Sequence, residues 1–371
     1  MRRNSFLFST ILLMAIVAAI SGCQISPRII PGQPTPTPTA TPGPSSSPTP
    51  TPTPTPIPPS AAGKLYVTNQ NGNSILRFDN AFNATGNEAP GAQITGSSTG
   101  LDAPQTVALD TAADRLYVAN AGGPSAPPSV LIFDGISTLN GNAAPTRTIA
   151  GLSTQFIAPS SVALDKSRDL LYVADGVDIY VYPASTANGD QAATRDIKVS
   201  SFGIQIQQIF LDAANDRLYV SDGANNAVDI FDNASTLNQT PAAPRGLTGA
   251  ATQLNQPAGM AIDPSGNLAV TNLGNGSITV YANAATTSGN QSPIAVISGA
   301  ATTLIDPVQI IQSSAADEVY VADSSANEVA VFAGIAGLNG SPAPSRRIFG
   351  PSTLITGTTA TARGVALDPT R

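Results

Sequence analysis

A unit of about 50 residues recurs along this chain, and no other feature narrows the fold as far. One apolar element reads Leu65-Tyr66-Val67, Leu116-Tyr117-Val118, Leu171-Tyr172-Val173, Leu218-Tyr219-Val220, Leu268-Ala269-Val270 and Val319-Tyr320-Val321, at spacings of 51, 55, 47, 50 and 51 residues. A second element, usually closed by Asp, precedes each copy after the first, at residues 107–110, 162–165, 209–212 and 260–263. It departs from the pattern as Ile310-Ile311-Gln312-Ser313 and returns as Val365-Ala366-Leu367-Asp368, three residues from the carboxy terminus. A third run follows each LYV-like element, as at 130–133, 228–231 and 329–332, and a fourth closes the unit, as at 147–151, 294–299 and 347–350.

Short β-branched and aromatic runs separated by Gly, Pro, Asn and Asp read as strands joined by tight turns. Four per unit make one antiparallel blade, so the expected fold class is all-β: a six-bladed β-propeller of four-stranded antiparallel blades. The repeat opens on a second strand (Leu65) and ends on a first strand (Val365). The sixth sheet is therefore complete only if the C-terminal strand pairs with the N-terminal blade.

Composition agrees and removes several function classes. Charged residues are 11% of the chain while Gly and Pro number 32 each, which suits a turn-rich β protein. The formal net charge is −7, so there is little to neutralise phosphates and no nucleic-acid partner is expected. Histidine is absent, which excludes a Ser-His-Asp triad, histidine-ligated zinc and an imidazole base. The single cysteine excludes an intrachain disulfide.

That cysteine follows a secretory pattern. Arg2 and Arg3 precede a mostly apolar stretch, 6–20, that ends in Ile20-Ser21-Gly22-Cys23. The sequence resembles the lipobox of bacterial lipoproteins, which implies cleavage after residue 22, acylation of Cys23 and membrane attachment through the lipid. Gln24 in the next position implies sorting to the outer membrane, facing the periplasm or the exterior. Residues 23–63 are a Thr/Pro-rich tether, since proline fixes φ and removes donors that a sheet needs. In extended form its Thr-Pro core reaches up to ~80 Å. The expected organisation is thus signal peptide 1–22, tether 23–63 and propeller 64–371.

Within the propeller, Pro257-Ala258-Gly259-Met260-Ala261-Ile262-Asp263 leading to Leu268-Ala269-Val270-Thr271-Asn272 resembles an NHL repeat. Residues 162–165 leading to Tyr172-Val173-Ala174-Asp175 are similar. The resemblance is specific for architecture and weak for activity.

Two groups of residues are candidates for a site on the face where second strands end. Asn69, Asn120, Asp175, Asp222, Asn272 and Asp323 end those strands. Asp175, Asp222, Asn272 and Asp323 are the oxygen set that would hold a calcium ion, against the alternative that Asx side chains shape the local turns. Just before the first strands, matched positions read Gln105, Ser160, Gln207, Ala258, Val308 and Arg363. Here Arg363, with Gln207 and Gln309, suits an anionic or amide-bearing ligand, against pairing of Arg363 with a neighbouring Asp. The pairs Asp110/Asp114, Asp165/Asp169 and Asp212/Asp216 read as turn formers on the opposite face. Gly96-Ser97-Ser98-Thr99-Gly100 matches a nucleophile-elbow pattern but lies in a loop and lacks a base.

Propellers of this kind include calcium-dependent lactonases and a zinc lyase. The lyase needs histidines that are missing. The lactonases use a Glu in the channel, and of Glu88, Glu318 and Glu328 only Glu328, expected in a loop, has a route to that face. The preferred reading is a non-catalytic, lipid-anchored binding module whose face takes a protein or small-molecule ligand. A calcium-dependent lactonase-like hydrolase is the alternative.

Overall fold

The computed structural model describes residues 62–355 and 361–371; the segment expected to be a signal peptide, Cys23 and nearly all of the expected tether lie outside them. Among the described residues, 24 strands form six four-stranded antiparallel sheets, each running first to fourth strand from centre to rim. In the second blade these are Pro104–Asp110, Arg115–Asn120, Ser129–Asp134 and Arg147–Ile149. First strands touch first strands all the way round, which makes the assembly a closed propeller.

Closure follows the strand order read from the repeat. Ala362–Asp368 pairs antiparallel with Lys64–Asn69, placing Leu367 opposite Leu65 and Val365 opposite Val67. The blade is completed by Ser74–Phe78 and Ala92–Thr95.

Each blade is packed on both faces, so its second strand is apolar along its whole length instead of alternating. Leu65, Tyr66 and Val67 are fully buried, and Leu218, Tyr219 and Val220 likewise. One apolar cluster fills each interface between neighbouring blades. Each large side chain buried this way contributes about 1.5–3 kcal/mol. Tyrosine hydroxyls then stitch blade to blade: Tyr117 donates to the carbonyl of Ala184 at 3.1 Å, Tyr219 to Ala284 at 3.0 Å and Tyr320 to Ala81 at 3.3 Å.

The connections between third and fourth strands seal the outer edges. Gly141 forms an isolated parallel bridge to Ile94 of the preceding blade, and Gly86, Gly189, Gln239, Gly289 and Gly340 repeat it around the ring. Side-chain oxygens of Asn140, Asn188, Asn238 and Asn339 accept fourth-strand amides of the preceding blade at 3.0–3.1 Å. Edge strands that would otherwise template association are thereby capped.

Candidate functional site

The inner strands bulge in five of the six blades, and the bulge decides what faces the channel. Pairing shifts between Ile206 and Gln208, Pro257 and Met260, Pro307 and Gln309, Pro104 and Val107, and opposite Val67/Asn69. Hydroxyls on second strands fill the gaps: Thr68 Oγ1 takes the Gly364 amide at 2.6 Å, and Thr271 Oγ1 takes the Gly259 amide at 2.7 Å. A bulge re-aims side chains locally.

At the end where first strands begin, Gln105, Ser160, Gln207, Ala258, Val308 and Arg363 line one small hollow of about 80 Å³. The six matched sequence positions do meet there. The Arg363 guanidinium donates through Nε to Gln70 Oε1 at 2.7 Å. It makes no ion pair: Asp306 is the carboxylate whose charge it feels, yet Asp306 accepts the Ser325 hydroxyl and lies beyond salt-bridge range. Residues 1–61 and 356–360 contain no acidic side chain that would serve instead. Other arginines without a carboxylate, Arg147 and Arg195, are held by backbone carbonyls. Burial pulls the Arg363 pKa below its ordinary value. Among the described residues it is the cation bonded to neither a carboxylate nor a carbonyl.

The Asx residues at second-strand ends are spent differently. Asp175 accepts the amides of Ile157 at 2.6 Å and Ala158 at 2.7 Å. Asp323 accepts those of Ile305 at 2.7 Å, Asp306 at 3.0 Å and Ala326 at 2.9 Å. Asp222 takes both the amide and the side chain of Asn225, and Asn272 takes the amide of Asn255 at 3.0 Å. Asn120 does the same for Asp102 at 2.8 Å. The oxygens of Asp175, Asp323, Asn272 and Asn120 fix the loop that enters their own blade, that of Asp222 holds the turn that follows it, and all are buried. Burial raises the pKa of Asp175 and Asp323, with the backbone bonds opposing it. Among the described residues no three acidic side chains stand close enough to share a metal ion, so the set Asp175, Asp222, Asn272 and Asp323 is not brought together. The set does not fit a calcium ion as it stands.

Glu328 is not in a loop. It opens the strand Glu328–Ala333, is fully buried, and its carboxylate pairs with Arg347 and accepts the Thr303 hydroxyl at 2.6 Å. Antiparallel pairing brings Arg347 of the fourth strand beside it, turning the carboxylate toward the rim. The carboxylates at the opposite turns are spent too. Asp110 caps Ala112 and Ala113, while Asp114, Asp169 and Asp216 each hold both the amide and hydroxyl of a serine in the following connection. Ser98 is clamped by Asn142 of the next blade.

Gln309 does not join the mouth. Val308 occupies the matched position, and past the bulge Gln309 faces the other way, accepting the Val365 amide at 2.9 Å through Oε1. Gln208 crosses the channel: from the fourth blade its Nε2 donates to the Val308 carbonyl of the sixth at 3.1 Å. These two glutamines form a waist. Beyond it, where first strands end, the channel widens into a funnel of about 610 Å³ lined by Leu164, Leu211, Met260, Ile262 and Ile311. A hollow of about 260 Å³ beside Leu109 and Leu367 extends it. Sequence reasoning missed this funnel, although the repeated third residue of the VALD-like element was the available signal.

No family model and no curated protein matches the sequence. Among solved structures the chain is similar to one in the crystal structure of a nidogen/laminin complex, with a TM-score of 0.57, 16% identity, and coverage of 82% of this chain and 98% of that one. It is also similar to a functionally unknown protein from Desulfotomaculum acetoxidans, with a TM-score of 0.50, 15% identity, and coverage of 79% and 83%. At these identities the likeness speaks to the propeller fold alone.

Proposed function

We propose that this chain is a lipid-anchored envelope propeller of the NHL type that binds a protein partner at the channel mouth without catalysis. The carrying observation is Arg363, a half-buried cation left without carboxylate or carbonyl at the centre of the face. A partner carboxylate entering there would gain a charge-assisted bond in partly desolvated surroundings. Ile157 and Ile305, 79% and 54% exposed, flank the same face on the loops that feed the third and sixth blades. Apolar side chains around a polar centre suit a protein surface. The nidogen/laminin structure, itself a complex, supports this reading by example. Cys23 as lipid attachment, the 23–63 tether and outer-membrane placement belong to the same proposal, because a tethered disc can meet partners away from the bilayer.

The test is photo-crosslinking from exposed Gln207 in cells, with the wild-type chain and with Arg363→Gln. One discrete crosslinked partner, reduced at least tenfold by Arg363→Gln, is the expected result. Equal crosslinking in both proteins would sink the mouth as the site. Separately, Cys23→Ser should release the protein from membranes; retention would remove the anchor.

A further inference from the structure

The funnel on the opposite face is chemically unlike the mouth, and its apex carries an unused pair of hydrogen-bonding groups. Gln208 spends its Nε2 on the Val308 carbonyl and Gln309 spends its Oε1 on the Val365 amide. These partners fix which end of each carboxamide is which. Gln208 Oε1 and Gln309 Nε2 make no hydrogen bond among the described residues and are not fully sealed; both side chains line the funnel, and Gln208 also lines the hollow at the mouth. One free acceptor and one free donor therefore sit where the funnel narrows.

The walls below them are mainly apolar, with Gln312, Ser313 and Ser314 on the sixth-blade side, where Gln312 Oε1 is buried without a partner. Leu109, Leu164, Leu211, Ile262 and Leu367 recur at the same position of five inner strands and stay partly exposed. Asp263, the acid on the lining, is bound to the amides of Ser265 and Asn267 at 2.8 Å each and to Asn267 Nδ2 at 2.9 Å. The volume falls within the range of small-molecule sites, and apolar walls with a few converging polar groups are their usual make-up.

We propose that the funnel binds a neutral aliphatic amide, its chain along the leucine ring and its carboxamide at the waist. The ligand carbonyl accepts from Gln309 Nε2 and its N–H donates to Gln208 Oε1. A carboxylate lacks the donor and leaves Gln208 Oε1 unpaired; an ester lacks it too. A group built to pair with a donor rejects analogues that lack one, because its own polar atom is then left unsatisfied. The proposal stands independently of the mouth.

Displacement of Nile red from the full chain carrying Cys23→Ser, so that no acyl group there retains dye, reads the site directly. Nonanamide should compete at least tenfold better than nonanoate or methyl nonanoate. From hexanamide to decanamide, affinity should rise about fourfold per methylene as each is buried. Gln309→Glu keeps the acceptor for Val365 and removes the donor, and should cost nonanamide at least tenfold. Ile262→Thr, at the rim, should flatten the chain-length dependence and covers the case in which Gln309→Glu fails to fold. Arg363→Gln should change none of this. Equal competition by the three head groups, absence of competition at every length, or undiminished binding by folded Gln309→Glu would each overturn the proposal.

Discussion

The interface between the sixth and first blades and the one between the third and fourth are built from the same repeat, yet they are finished differently. At the former the chain passes from the sixth blade into the closing strand, which is held to Lys64–Asn69 by pairing alone. Tyr320 donates to the Ala81 carbonyl across the interface, while within the sixth blade Arg346 grips Glu318 through two nitrogens at 2.6 and 2.9 Å and reaches the Tyr320 hydroxyl. Between the third and fourth blades the equivalent Tyr172 hydroxyl has no hydrogen-bond partner among the described residues, and it is Arg195 that crosses, donating to the carbonyls of Ala234 at 3.3 Å and Leu237 at 2.6 Å. There too Asp229 takes the position held by Leu76, Leu131 or Ala330 elsewhere, opposite Val220 and beside Phe231 in an apolar cluster. Burial, helped by the Asp222 charge, raises its pKa to about 6. The two interfaces thus differ in the group that crosses, a tyrosine hydroxyl at one and an arginine at the other, where a lone carboxylate is also buried.

The contrast can be broken most forcefully at the closing strand. Val365 is fully buried opposite Val67, so Val365→Asp places an unpaired charge in the first-blade core and should cost more than about 4 kcal/mol, abolishing a cooperative thermal transition followed by circular dichroism. A next, smaller effect of opposite sign is expected at Asp229. Its folded pKa lies above the unfolded value, so the folded state holds the extra proton and stability is lost as pH rises from about 4 through 6. Asp229→Asn should therefore raise stability at pH 7 by about 1 kcal/mol, allowing for partial exposure, and flatten the melting profile between pH 4 and 6. An unchanged profile would mean the carboxylate has found a partner. The smallest effects sharpen the comparison: Tyr320→Phe should cost about 1 kcal/mol, and Tyr172→Phe close to nothing, by chemical denaturation. Equal costs would remove the distinction between the interfaces.

Much of the architecture was legible because each blade repeats the same burial problem. The LYV-like and VALD-like elements mark second and first strands in every unit, and their order requires the pairing of Val365 with Val67. The six matched positions at the mouth were legible for the same reason, since a fixed strand order puts equivalent residues at equivalent heights. What escaped was anything a bulge re-aims. Gln309 looks like a mouth residue in sequence, and a one-residue register shift sends it to the waist. The Asx oxygens at second-strand ends looked like a ligand ring because their type repeats, whereas those of Asp175, Asp323 and Asn272 are bound by amides of the loop entering their blade and that of Asp222 by Asn225 of the following turn. The role of the third-to-fourth connections in sealing a neighbour's edge is visible only across blades.

By itself the sequence determined the number of blades, the strands in each and the way the ring must close, because local patterning of apolar runs and turn residues is enough to state which backbone segments pair. Only the tertiary structure decided that Arg363 stands without a counter-charge, that the Asp carboxylates are consumed by loops, and that two glutamines divide the channel into a narrow polar mouth and a wide apolar funnel. The physical reason is that a polar atom's availability depends on what fills its hydrogen-bonding capacity, and those partners come from blades that are distant in sequence.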